Sequence, residues 1–242
     1  MIKKIIFYTL FVLLLVYMII VLTFVCKNLC KDVCLGTQID INNTNNGSFL
    51  WDDDVLSIVE HDYGYFKDSL LVNIDKDSIE RVLNKFPIIK KSEVYSSLDG
   101  IIHIYIEQKI PVLRVFGRDN YYIDEEGGIM SLSKRYSARV VVATGNISRS
   151  YAKNELYHFV MFIRNNDFWN SFIEQIYIKN SDNVILIPKV GMFKINIGSI
   201  DNYKENLNKL YLFLIKGIEK KGWNSYKEIN LKFKKQVVCV KR

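Results

Sequence analysis

From Ile5 to Cys26 the chain carries no charged residue, reading "IIFYTLFVLLLVYMIIVLTFVC". At ~1.5 Å rise per residue such a stretch reaches ~33 Å as a helix, enough to cross the ~30 Å hydrocarbon layer of a bilayer. It predicts a membrane-spanning helix over 5–26. A secretory signal has a shorter apolar run and small residues at a cleavage site, whereas this run leads into "KNLCKDVC" and is expected to stay as an anchor. Lys3 and Lys4 precede it, and Asp32 partly offsets Lys27 and Lys31 after it, so the short tail 1–4 is biased to the cytoplasmic side. The rest of the chain then faces outward.

After the anchor, "VCLGTQIDI" alternates as a short strand does, and "NNTNNGS" at 42–48 reads as a loop. Asp52 sits where an N-cap belongs, Val55, Leu56 and Val59 form an apolar stripe, and Gly64 closes the helix. A second helix follows in "DKDSIERVLNKFP", with Ile79, Val82, Leu83 and Phe86 on one face. Asp77 and Glu80 are placed for a capping-box-like pair, and Pro87 ends the segment. Then "IIKKSEVYSSLDGIIHIYIEQ" gives two β-rich runs around Asp99-Gly100, a strong hairpin signal. Two amphipathic helices covering one face of this small sheet make an α+β module over 27–110.

From Pro111 the pattern changes to short strands broken by glycine, "VLRVFG", "NYYIDEEGG" and "ARVVVATG". A helix with Leu156, Phe159, Val160 and Ile163 inward leads to paired strands in "IEQIYIKNSDNVILIP" and "VGMFKINIG". The last helix puts Leu207, Leu210, Tyr211, Leu214 and Ile218 on one side and stops at Gly222. This predicts a second, mainly β domain over 111–242 with two covering helices. The closing "EINLKFKKQVVCVK" reads as one strand, with Ile229, Leu231 and Phe233 inward and Asn230, Lys232 and Lys234 outward. A terminal strand at a sheet edge offers free N–H and C=O groups that another chain can extend; the alternative is a protected strand with no partner. Leu231, Lys232, Phe233, Val237, Val238 and Val240 are the candidate contact residues.

With 49% apolar residues in 242, the chain has enough to fill one or two cores. The formal charge of +7 shrinks when divided: four of the 33 basic residues precede position 32, leaving 29 against 26 acids. That balance is too weak for a phosphate-binding surface and excludes nucleic acid as a partner class. Cys26, Cys30 and Cys34 recur every fourth residue and would line one helix face if the helix continued, while Cys239 stands alone. Their spacing suggests no zinc site. Two readings stay open: small apolar residues at a membrane boundary, or pairing between copies through the N-terminal three.

Candidate chemistry is thin. His61, His103 and His158 are scattered, and no nucleophile elbow, phosphate-binding glycine loop or zinc motif occurs. Asp124, Glu125 and Glu126 precede Gly127-Gly128 and read as a turn between strands. Asp52, Asp53 and Asp54 contain the Asp-x-Asp spacing that sugar transferases use for a divalent metal, yet successive helix residues diverge by about 100°. The expectation is a protein without catalytic residues, cofactor, metal or small-molecule substrate. A membrane-anchored, metal-dependent glycosyltransferase using Asp52 and Asp54 is the enzymatic alternative.

Anchor, strand-helix-helix-strand-strand module and "SSLDGIIHIYIEQKIPVLRV" together resemble the bacterial cell-division family FtsQ (DivIB), whose outer part begins with a POTRA domain. Asp99, Gly100, Gln108, Lys109, Pro111 and Arg114 fall on the family's hairpin and hinge pattern. Further on, "YYIDEEGGIMSLSKRYSARVVVATG" resembles its Asp…Gly turn and following strand, in the form found in Bacteroidetes-type bacteria, through Asp124, Gly127, Ser133, Arg139 and Gly145. Lys232-Phe233 stands where a basic-aromatic pair is usual. The resemblance implies a non-catalytic divisome scaffold in the cell inner membrane, single-pass, recruiting other division proteins at the septum. It also implies FtsB and FtsL-type coiled-coil proteins as partners at the last strand. Another POTRA-type envelope assembly factor is the remaining alternative.

Overall fold

A computed structural model describes residues 2–29, 33–42, 47–218 and 222–242, without the side chains of 2–6, 24–29 and 218. Helix α1 runs over Ile2–Leu29, and its described side chains, from 7 to 23, are exposed on every side. Among the described residues no helix is long and apolar enough to cross a membrane. Met1, Cys30, Lys31, Asp32 and residues 43–46, which the sequence reads as a loop, lie outside the described residues, as do the side chains of Lys3, Lys4, Cys26, Lys27 and Ile218. The chain divides into two units, one of 1–42 with 50–108, the other of 43–49 with 109–242.

The first unit follows the order its pattern predicts. Strand β1 (Gly36–Asn42) is followed by α2 (Asp52–Asp62), α3 (Lys76–Leu83), β2 (Ile89–Ser96) and β3 (Ile101–Gln108). The sheet order is β1-β3-β2, with β3 antiparallel to β2 and parallel to β1. The parallel pair is possible because two helices intervene between β1 and β2. β3 alternates without fault, burying Ile102, Ile104 and Ile106 completely alongside Val55 and Val59 of α2 and Ile79 and Leu83 of α3. The hairpin turn holds Gly100 at φ +84°, a left-handed conformation that glycine adopts freely.

Three local expectations need correction. The N-cap of α2 is Trp51, not Asp52; the Asp54 carboxylate reaches back to accept the Trp51 N–H at 3.1 Å. Asp52 and Asp53 stay in the first turn, where carboxylates favour the helix dipole. α3 is capped by Asp75, which accepts from the Ser78 N–H at 3.0 Å, rather than by Asp77 and Glu80. Glu80 instead accepts the Val94 N–H of β2 at 2.7 Å. Cys34 does not share a helix face, because α1 ends at Leu29; it is a free, buried thiol whose backbone bonds to Ser69 and Asp68.

The second unit is one nine-stranded sheet in the order β12-β11-β10-β9-β8-β7-β4-β5-β6. Its strands are β4 (Pro111–Phe116), β5 (Tyr121–Asp124), β6 (Ile129–Met130), β7 (Val141–Gly145), β8 (Ile173–Asn180), β9 (Asn183–Pro188), β10 (Lys194–Gly198), β11 (Tyr226–Asn230) and β12 (Val238–Lys241). Two of its parallel pairs, β7 with β8 and β10 with β11, are joined by helical crossovers, as parallel strands require. The first crossover is α4 (Arg149–Tyr151), a π-helical turn (Ala152–Leu156), α5 (Tyr157–Arg164) and the short α6 (Asp167–Phe172). The second is α7 (Tyr203–Phe213), running into a second π-helical turn (Leu214–Ile218). Helical cover therefore comes from three segments rather than two.

Leu156, Phe159, Val160 and Ile163 are fully buried, as their spacing predicts, against Ile176, Ile178, Leu186, Ile195 and Ile229 of the sheet. Leu207, Leu210 and Leu214 join them, but Tyr211 does not. It lies outside the apolar stripe, 40% exposed, with its ring against Phe168 at 5.1 Å. Phe49 belongs to this unit: it is buried, packs edge-on against Tyr122 and Tyr136, and accepts the Ser133 hydroxyl on its carbonyl at 2.9 Å.

Candidate partner-binding edge

The closing segment is a hairpin rather than one strand. β11 ends at Asn230, Lys235 turns the chain at φ +59°, and β12 returns antiparallel with Asn230 opposite Val238, Ile229 opposite Cys239 and Glu228 opposite Val240. Ile229 and Leu231 are inward, as the alternation predicts, but Phe233 is not. It lies three residues beyond the strand and is 51% exposed. The break has identifiable causes. The Asn230 side chain accepts the Lys232 N–H at 3.1 Å, and the Lys209 ammonium of α7 donates to the Leu231 and Phe233 carbonyls at 2.9 and 3.0 Å. These bonds satisfy the turn backbone away from a ladder, as a loop must.

The six candidate contact residues therefore separate. Leu231 is core; Val237 is half-buried against it; Lys232 hydrogen-bonds the Asn183 side chain; Phe233, Val238 and Val240 are exposed. β12 is the last strand of the sheet, so its outer N–H and C=O groups have no ladder partner among the described residues. Val238 and Val240 are two apart and so share a face, while Cys239 faces the core. Burial pushes the Cys239 thiol pKa up, making it a poor nucleophile. Exposed Lys234, Lys235, Lys241 and Arg242 flank the strand. A bare edge with two apolar side chains and cationic flanks can accept an added strand of apolar and acidic character. Sequence reasoning missed Lys209, 22 positions before Leu231, because its role depends on where α7 lies.

The residues expected to form the hairpin and hinge pattern occupy distinct places. Asp99 and Gly100 form the β2–β3 turn, where the Ser97 hydroxyl bonds the Asp99 carboxylate and lowers its pKa. Gln108 ends β3, buried, its side-chain oxygen accepting the Leu50 N–H at 3.2 Å. The boundary between the units falls directly after it, before Lys109. Lys109 reaches the Asp124 carboxylate at 3.3 Å. Asp124 is 2% exposed and also accepts the N–H groups of Glu126 and Gly128, at 3.0 and 2.7 Å. A methyl group on Gly128 would fall 2.6 Å from that carboxylate, which explains the doubled glycine.

Pro111 opens β4 opposite Asp124, a first-residue position where its missing N–H costs no ladder bond. Arg114 donates to the Ser137 hydroxyl at 2.7 Å and lies over the Tyr122 ring at 5.7 Å. The turn around Asp124 and the strand around Arg114 are thus structural. No expected candidate other than Phe233, Val238 and Val240 offers an exposed apolar contact.

Among the described residues no group of three His, Cys, Asp or Glu is arranged to hold a metal. His61 contacts Asp62 in solvent, and His103 stacks on Tyr95 at 5.0 Å, with Ser97 hydrogen-bonded to its ring.

A family model described as FtsQ/DivIB, C-terminal related, matches residues 110–240, and a POTRA-like domain model matches 32–107. No curated protein matches the chain. Among solved structures, the major extracytoplasmic domain of the trans isomer of the cell division protein DivIB from Geobacillus stearothermophilus matches at 14% identity and a TM-score of 0.34. That match covers 47% of this chain and 96% of that one. With the first of these models spanning more than half of its residues, the chain belongs to the FtsQ/DivIB family.

Proposed function

We propose that the protein is a non-catalytic scaffold of the division machinery, anchored in the cell inner membrane by α1 with its N-terminus cytoplasmic and both units outside. It recruits division proteins of the FtsB and FtsL coiled-coil type to the septum through the edge of β12. The observation that carries this reading is the bare outer side of β12, with Val238 and Val240 exposed beside it. Two other features support it. Family membership brings the expectation of a scaffold, and α1 is apolar and exposed on all sides from 7 to 23, a surface suited to an apolar solvent.

The test is calorimetry between the full chain in dodecyl maltoside and a periplasmic FtsB–FtsL fragment from the same organism. A chain ended at Gln236 keeps β11 and the core residue Leu231 while deleting β12. Binding that is lost in this truncation, and reduced at least tenfold in Val238→Lys/Val240→Lys, supports the reading. Undiminished binding in both refutes the edge as the site, and no binding by the intact chain refutes the partner.

A further inference from the structure

The large apolar side chains that the second unit leaves exposed are not scattered. Apart from Phe116, Tyr177 and the group near the end of the chain, they gather on one surface among the described residues. Its members are Phe168 of α6, Tyr211, Leu212 and Ile215 of the α7 segment, Trp223, and Val190 with Met192 from the loop between β9 and β10, each 39–67% exposed.

Ring contacts make the surface continuous. Tyr211 meets Phe168 edge-on at 5.1 Å, Phe168 stacks on Phe172 at 5.6 Å, and Trp223 lies 6.3 Å from both Phe172 and Phe193. Phe172 and Phe193 are buried, so the exposed rings sit on core rings that hold them in place. An open groove of about 300 Å³ extends the ring surface, lined by Phe162, Phe168, Trp169 and Tyr211, with Lys204 the cation among its lining residues. Single exposed apolar residues are ordinary, whereas a contiguous patch marks a contact surface.

The rim is basic. Lys189, Lys204 and Lys216 are exposed beside the patch residues, and the Arg242 guanidinium donates to the Met192 carbonyl at 3.2 Å. Asp167 and Glu205 are the acids of α6 and α7. Tryptophan and tyrosine rings backed by cations match the boundary of a bilayer, where amphipathic rings lie among the headgroups and ammonium and guanidinium groups meet lipid phosphates.

We propose that this surface of the second unit rests on the membrane as a peripheral contact, with an anionic phospholipid surface as its partner. The inference rests on the anchoring by α1 proposed above, which tethers the unit and raises the effective concentration of lipid at the patch. Phe168, Tyr211, Ile215 and Trp223 enter the headgroup layer, while Lys189, Lys204, Lys216 and Arg242 meet the phosphates. A second copy of this chain is a poor occupant, because two basic rims would face each other.

The full chain reconstituted in nanodiscs tests this. The discs contain phosphatidylcholine alone or with phosphatidylglycerol, and each kind is also made with acyl chains brominated near the headgroup. Bromine quenches a tryptophan only at close range. Of the three tryptophans, Trp169 is buried beneath the patch, Trp51 belongs to the first unit, and Trp223 is exposed within the patch. Quenching by brominated lipid should be stronger in the phosphatidylglycerol discs and should fall at least threefold in Trp223→Phe. Leu212→Glu/Ile215→Glu, two exposed substitutions that leave the core intact, should lower it as much. No quenching, quenching that persists in both variants, or equal quenching with and without phosphatidylglycerol overturns the proposal. The anchor is read separately, as co-elution of the chain with the discs. Co-elution with Trp223 unquenched overturns the contact alone, and a chain that does not enter the discs overturns the anchor and the contact together.

Discussion

Replacing Asp124 with alanine should destabilise the second unit by about 3–5 kcal/mol, the range for breaking a buried, hydrogen-bonded ion pair from one side. The carboxylate is almost fully buried and serves three donors: the N–H groups of Glu126 and Gly128 and the ammonium of Lys109. Removing it strands two turn amides and a lysine whose side chain is only 24% exposed. Each of the two hydrogen bonds to the carboxylate is worth about 1.5–3 kcal/mol net, so together with the ion pair they can supply this loss. Asp124→Asn keeps an acceptor for one or both amides and should cost about 1–3 kcal/mol. Lys109→Met leaves the carboxylate its two amide donors and should cost about 1–2 kcal/mol. The measurement is hydrogen exchange of the β5 and β6 amides in the full chain, which reports this unit separately from the first. A double-mutant cycle of Asp124→Asn with Lys109→Met isolates the pair. A loss under about 0.5 kcal/mol in Asp124→Ala would show that the turn holds without its carboxylate and refute the reasoning.

Gly145 ends β7 at φ +107°, and a Cβ there would collide with the Ile178 carbonyl of β8, so Gly145→Ala should cost about 2–4 kcal/mol by thermal unfolding. An unchanged melting temperature would exclude that close approach. Lys209→Met removes both donors to the turn between β11 and β12 and should speed exchange at β12 several-fold while leaving β8 and β9 unaffected. Uniform change across the sheet would assign Lys209 to general stability instead. Cys239 should react with iodoacetamide more slowly than an unstructured cysteine between pH 7.5 and 9, because burial raises its pKa and leaves less thiolate at a given pH. A rate equal to that of a model peptide would place the thiol in solvent.

Local order was legible because it depends on spacing. The stripes Ile79–Leu83 and Leu156–Ile163 follow from a period of 3.6, and the turn at Asp99-Gly100 from glycine's conformational freedom. The caps were legible only approximately. Three aspartates beginning at 52 announce a helix start, but which one serves it depends on a side chain reaching back to Trp51. Likewise, the alternation of Ile229 and Leu231 predicts a strand but not its end at Asn230. That end depends on a lysine from α7 that competes for the turn carbonyls.

Spacing and residue type alone were thus enough for the elements, their inward faces and, through Asp99, Gly100, Gln108, Pro111 and Asp124, a family resemblance. Tertiary structure alone decided which strands became edges. β1 lies beside β3 across 58 residues of intervening chain, β2 is closed by Asn84 and Glu80, and β12 has no second neighbour among the described residues. It also joined Lys109 to Asp124 and drew Phe49 into the second unit. Periodicity is a property of neighbours in sequence, whereas an open edge is a property of who fails to pair with it, which only the folded chain defines.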